Sequence, residues 1–231
     1  ERIRGENRAI RELNESFETS LRTLRQQLGE YEERTRDLAI VAGLDELSIG
    51  EEAGIGGLEE EITPEMLRAF QDRAVSLSSG LDEVQAGLDA RQLKISATPA
   101  IAPAKGVLTS NFGVRRDPIT GRRSPHPGID IASYPGSPVV APADGVVVRA
   151  GTNGGLGRSV TLSHGFGVST RYGHLARVTV RAGERVRRGD VIGRVGNTGR
   201  STGYHLHYEV RLDGKPVNPV GYILDPPADS F

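Results

Sequence analysis

At 231 residues and 24.8 kDa the chain is too long for one small module and suits one globular domain with an extension. Hydrophobic residues make up 36% and charged ones 26%, which excludes a membrane bundle and a fully disordered polymer; no window reaches the ~18–20 uninterrupted apolar residues of a spanning helix. Cysteine is absent, so disulfides, Cys-ligated metals and thiol nucleophiles are excluded, while the redox compartment stays open. The chain opens at Glu1 without Met or a signal-like run. An upstream segment is therefore expected to have been removed, and a targeting sequence or membrane tether is among the things it could have held.

The formal charge of −1 averages two opposite halves. Residues 1–96 carry 12 Lys+Arg against 21 Asp+Glu, a net of −9, and residues 97–231 carry 17 against 9, a net of +8. Composition changes at the same place, from Glu, Leu, Gln and Arg to Gly, Val, Thr and Pro. The reading by segment is α+β, an N-terminal α-helical coiled coil or helical hairpin followed by a compact antiparallel β-sheet: a coiled-coil helix over 1–47, a Gly/Glu-rich loop over 48–62, a second amphipathic helix over 63–96, a Pro/Ala linker over 97–104, and the β-sheet domain over 105–231.

In the acidic half Ile3, Ile10, Phe17, Leu24, Tyr31 and Leu38 recur every seven residues. With these at d, Asn7, Asn14, Leu21, Leu28, Thr35 and Ala42 occupy a, a pattern that predicts a coiled coil. Asparagines at two successive a positions favour in-register pairing, most familiarly in parallel dimers, so a homodimer through this arm is expected. Four glycines interrupt the helical pattern over 48–62. Thr63, Pro64 and Glu65 then read as N-cap, first helical position and first-turn acid. Leu67, Phe70, Ala74, Leu77, Leu81, Val84, Leu88 and Ile95 follow the three-and-four spacing, so this helix can fold back on the first or on a partner's. Nothing in this half suggests chemistry. It reads as a spacer, a dimeriser or a docking arm for an envelope or division-complex regulator.

In the basic half valine-rich runs at 145–149, 158–162 and 190–195 alternate with Gly, Pro, Asn and Asp. The run 205–212 meets a hairpin signal at Asp213-Gly214. All five histidines lie here. On a strand His205 and His207 project from one face into one cleft. His126 and Asp130 meet through a turn made by Pro127 and Gly128, and His174 ends another β-like run. Two imidazoles and one carboxylate suit zinc and leave a fourth position for water. His164 reads as a turn residue at a strand end and stays outside the site.

The order His126-x-x-x-Asp130, Tyr172-Gly-His174-Leu, Gly203-Tyr-His205-Leu-His207-Tyr-Glu resembles the LytM/lysostaphin-type peptidoglycan zinc metallopeptidases. Segments 108–115, 138–148, 183–193, 196–203 and 214–219 match the same family. The resemblance covers roughly residues 104–223 and does not extend to 1–96, although a coiled-coil arm before such a domain is similar to envelope-anchored bacterial members.

The resemblance implies one zinc held by His126, Asp130 and His207, with His174 and His205 as the catalytic pair that does not bind it. It also implies hydrolysis of peptide cross-links in peptidoglycan, in a periplasmic or other extracytoplasmic envelope compartment, with an inner-membrane anchor among the arrangements it allows. Tyr204 stands where the family often has Pro. Which of His174 and His205 takes the proton stays open. The alternative keeps the fold without catalysis, as a wall-binding activator of another hydrolase. A biotinyl or lipoyl carrier is excluded because no lysine lies between Lys105 and Lys215. Nucleic-acid binding is disfavoured because the arginines are not interleaved with aromatic residues.

Overall fold

The structure, a computed structural model, describes residues 2–44 and 64–224. It divides into two units, Glu1–Gln92 and Leu93–Phe231. The Gly/Glu-rich segment 48–62 and Thr63, expected as an N-cap, lie outside the described residues, as do the side chains of Ile3, Asn7, Ile10 and Asn14.

The first unit is a helix pair, α1 (Arg2–Ala42) and most of α2 (Pro64–Ala97), whose residues from Leu93 onward belong to the second unit. The first helix stops where Gly43 turns to φ 78°. Gly43 N–H then donates to Ile40 O and Leu44 N–H to Ala39 O, both at 3.0 Å, a Schellman closure that satisfies two terminal carbonyls. Leu28 packs with Phe70 and Leu77, Arg73 Nε donates to Glu32 at 2.9 Å, and Leu44 lies beside Gly87. These contacts advance in the same direction along both helices, so α2 runs parallel to α1 and not as an antiparallel hairpin. Of the heptad positions, Leu28 and Thr35 in the a row are buried. Phe17, Leu24, Tyr31 and Leu38 in the d row stay 46–53% exposed.

The second unit is β-rich. Its strands are β1 (Val107–Ser110), β2 (Gly113–Arg116), β3 (Arg123–His126), β4 (Ile129–Ala132), β5 (Pro138–Val140) and β6 (Gly145–Thr152). They continue with β7 (Arg158–Gly165), β8 (Val168–Val178), β9 (Arg185–Val186), β10 (Val191–Val195), β11 (His205–Leu212) and β12 (Lys215–Val217). The main sheet runs β1-β4-β11-β8-β7-β6-β9, with β10 joining β8 to β5 and β12 extending β11. All its described pairings are antiparallel. β2 and β3 form a separate hairpin. The Pro/Ala segment 97–104 is pinned to this unit: Ala100 N–H donates to Pro142 O, Val140 N–H donates to Pro103 O, and Ala104 is buried in the core. Its prolines supply extended backbone and acceptors without a donor that needs pairing.

Alternation decides which face of β11 does what. Leu206, Tyr208 and Val210 are fully buried in the core with Ile129 and Ile131 of β4 and Tyr172 of β8. His205, His207 and Glu209 therefore share the opposite face. Because β11 lies between β4 and β8, that polar face is flanked on both sides by strands whose register fixes what meets it.

Candidate metal centre

The β4–β11 ladder places His207 directly opposite Asp130. His126 enters from the end of β3, four residues before Asp130. Gly128 makes this turn possible: a Cβ there would lie 2.9 Å from the carbonyl carbon of Tyr208 and closer still to its oxygen. Three donor atoms converge. His126 Nε2 is 3.2 Å from Asp130 Oδ1, His207 Nδ1 is 2.9 Å from the same oxygen, and the two nitrogens are 3.1 Å apart. All three residues are at least nine-tenths buried.

The tautomers follow from the outward hydrogen bonds. His126 Nδ1–H donates to the Asn111 carbonyl at 2.8 Å, which leaves a lone pair on Nε2. His207 Nε2–H donates to the Glu209 carboxylate at 3.2 Å, which leaves a lone pair on Nδ1. Two lone pairs and a carboxylate oxygen thus face one another in a buried space, an arrangement that is repulsive without a cation or proton between them. Donors at about 2.1 Å around tetrahedral zinc lie about 3.4 Å apart, near the 2.9–3.2 Å separations here. The donor set fits a single zinc-like cation, with both imidazoles held by an outward acceptor.

Electrostatics agree. Burial pushes the Asp130 carboxyl up, but the His126 and His207 imidazoles pull it down further, well below the ordinary carboxylate range. Burial pushes His207 down, and Asp130 and Glu209 reverse this so that it ends above its ordinary value. A proton and a metal therefore compete for the same lone pair.

His174 and His205 line the same groove of about 500 Å³. Their ring centroids are 4.7 Å apart, and the His174 and His207 centroids are 5.9 Å apart. His174 Nδ1–H donates to Thr198 O at 2.8 Å, and His205 Nδ1–H donates to Gly203 O at 2.9 Å. Each ring thus keeps Nε2 available, and His205 Nε2 is 3.7 Å from Asp130 Oδ1. Burial lowers the His174 pKa, partly opposed by its bond to Thr198, so its imidazole is neutral near pH 7.

Simple alternation does not place His174 here. Tyr172 faces the core, and His174 has the same parity. On β8, however, Tyr172 and Leu175 pair with Val160 and Arg158, three steps against two, which defines a bulge. His174 sits in it at φ 61°, a rare left-handed conformation for a residue with a Cβ. The extra residue turns the imidazole to the site and returns Leu175 to the core. Gly173, opposite His207, leaves the room: its Cβ would come 3.3 Å from His207 Cβ and 2.9 Å from Leu156 Cδ2.

The structure therefore brings together all five residues singled out from sequence, His126, Asp130, His174, His205 and His207. His164 stands apart. It lies within β7 near its end, buried, where Nδ1–H donates to Asp144 O at 2.7 Å. Its Nε2 accepts from the Thr170 hydroxyl at 2.8 Å, which in turn is 2.7 Å from Tyr172 Oη. Residues missed in the sequence reading are Arg115, whose Nη2 donates to Asp130 Oδ2 at 3.1 Å, and Glu209. The period-two rule that linked His205 to His207 extends to Glu209; nothing local marks Arg115.

Comparison with known proteins follows the same residues. Residues 124–219 match the family model described as Peptidase family M23. This stretch is an M23 domain. The chain is 50% identical over 120 residues to the DD-carboxypeptidase/endopeptidase Mpg of Neisseria meningitidis, covering 52% of this chain and 28% of that protein. It is 47% identical over 116 residues to the peptidoglycan DD-endopeptidase ShyA of Vibrio cholerae, covering 50% and 27%. Among solved structures, the catalytic domain of the antimicrobial peptidase lysostaphin from Staphylococcus simulans is 29% identical, covering 52% of this chain and 91% of that one at a TM-score of 0.47. The chain thus spans little more than a quarter of the length of these two curated relatives.

Proposed function

We propose that the protein is a zinc-dependent endopeptidase that hydrolyses peptide cross-links of bacterial peptidoglycan. The observation that carries this reading is the convergence of three metal donors, His126, Asp130 and His207, beside two imidazoles whose Nε2 atoms remain free. The similarity to the peptidoglycan DD-endopeptidase ShyA supports the substrate class, and that to the DD-carboxypeptidase/endopeptidase Mpg supports the endopeptidase activity. His126, Asp130 and His207 would hold the zinc, which when bound would supply Lewis acidity and a lowered pKa for water.

The chain's own residues do the rest. Asp130 contributes the one negative charge of the donor set, and Arg115 occupies its second oxygen so that Oδ1 faces the imidazoles. His174, neutral and anchored through Nδ1–H, accepts the water proton at Nε2. His205, anchored through Nδ1–H at Gly203, can donate an Nε2–H to the carbonyl oxygen as it gains charge only when its ring carries both protons. The groove is open enough for a peptide, and the +8 half suits a substrate bearing carboxylates.

This substrate places the enzyme in the extracytoplasmic envelope of a bacterium. No described helix is long and apolar enough to cross a membrane. The helical unit serves dimerisation, tethering or regulation. The exposed d row of α1 supports a second copy as its occupant.

Muropeptide release from purified sacculi tests the reading, with the zinc-loaded chain compared with His207→Ala and His174→Ala. Release by the wild type alone is the expected result. Release by His207→Ala overturns the metal assignment. No release from a wild type that has bound zinc favours the non-catalytic activator.

A further inference from the structure

Glu209 is 3% exposed on the central strand, on the site face but behind the metal donors. A carboxylate this deeply buried is costly unless every lone-pair direction is used. Here each oxygen has a partner. Oε1 accepts His207 Nε2–H at 3.2 Å, and Oε2 accepts Arg211 Nη1 at 2.8 Å, with Arg171 Nη1 at 3.8 Å. Arg211 is itself fixed, because its Nε and Nη2 donate to Gly214 O at 3.1 and 2.6 Å. A chain of directed contacts therefore runs from the β11–β12 turn through Arg211 and Glu209 to His207. It ends on the one imidazole that presents Nδ1 to the metal position.

We propose that Glu209 is a positioning residue for the metal centre. Its Oε1 holds the His207 proton on Nε2 and fixes the ring plane, so that the Nδ1 lone pair points at the site shared with His126 and Asp130. The geometry distinguishes this from a surface ion pair. Oε1 is committed to His207 and Oε2 to arginine, and the rigid strand spaces Glu209 two residues from its client. The proposal rests on the metallopeptidase reading and adds a residue that binds neither metal nor substrate in it. Outer-sphere partners of this kind contribute about 10- to 100-fold in metal affinity.

The test is zinc affinity of the full chain, measured by competition with a chromogenic chelator, for wild type, Glu209→Gln, Glu209→Leu and His207→Ala. Cobalt(II) absorption spectra and the metal-free unfolding midpoint accompany it. Gln keeps an acceptor oxygen of the same reach, whereas Leu keeps only the volume. The expected result is a loss of about 10- to 100-fold in zinc affinity for Leu, a smaller loss for Gln, and a changed cobalt spectrum in Leu. If folded Leu and Gln variants bind zinc as the wild type does, the proposal is overturned. Equal losses in both variants also overturn it, since the acceptor oxygen would then be irrelevant. If wild type and His207→Ala bind zinc alike, the metal assignment itself fails and Glu209's role fails with it.

Discussion

A single methyl group at Gly128 is expected to damage both stability and the metal centre. The turn from His126 to Asp130 brings the Gly128 Cα against the backbone of β11, where an added Cβ would lie 2.9 Å from Tyr208 C and 3.1 Å from Glu209 Cγ. Carbon contacts reach their optimum near ~3.5–4.0 Å, so the two segments must part by at least about 0.6 Å. Neither can yield as a flexible side chain would, because Ile129 is paired with Tyr208 and Asp130 with His207. Overpacking of this kind costs about 1–3 kcal/mol, equivalent to a fall in Tm of about 4–12 °C for a domain of this size. The same displacement moves Asp130 relative to His207, so zinc affinity falls as well. Gly203 provides the control, since it lies in the loop before His205 and a Cβ there meets nothing within 4 Å. The measurement is thermal unfolding of the full chain in chelator and in zinc. Gly203→Ala is expected to stay within about 0.5 kcal/mol of wild type. A Gly128→Ala protein that melts with wild type and binds zinc equally well refutes the steric reasoning.

Asp130→Asn keeps the shape but removes the charge from the donor set. It is expected to abolish tight zinc binding in a chelator competition while circular dichroism stays native. His164 is held below its ordinary range by burial, partly opposed by Asp144. The unfolded chain therefore takes up this proton first as pH falls below ~6.5. Its stabilising contribution is complete above that value and declines below it, so the Tm loss between about pH 7 and about pH 5 should be smaller in His164→Gln; equal losses sink the idea. Leu24→Glu with Leu38→Glu places charges in the exposed d row. It is expected to convert a dimer into a monomer in sedimentation velocity of the full chain, and a wild type already monomeric at tens of micromolar removes that reading of the arm.

Much of the centre was legible because strand periodicity is a geometric rule. His205 and His207 share a face whatever the tertiary context, and Pro127-Gly128 forces the turn that sets His126 near Asp130. Antiparallel strands at high density also follow from the spacing of valine and glycine. The register between strands is a different kind of information. That His207 meets Asp130 on one side and Gly173 on the other depends on the order β4-β11-β8, which no local pattern states. The helix pair shows the same limit. Its seven-residue rows were readable, but which row the second helix covers is decided by where α2 enters, and here it covers Leu28 and Thr35 and leaves Tyr31 and Leu38 exposed.

His174 makes the strongest case, because the general rule gives the wrong face. A strand through Tyr172, Gly173 and His174 sends the histidine into the core with the tyrosine, where a desolvated imidazole without a partner would be costly. The fold inserts one residue at that point and accepts a left-handed φ of 61°. It needs a glycine at 196, because a Cβ there would strike the backbone, with Ala176 Cα at 2.6 Å and His174 O at 2.7 Å. Strain of about 1–3 kcal/mol is stored where the imidazole must sit beside the metal position instead of in the core. In that position Nδ1–H reaches the Thr198 carbonyl at 2.8 Å, which frees Nε2. The departure from the regular strand thus supplies both the position and the tautomer that a proton acceptor at this site requires.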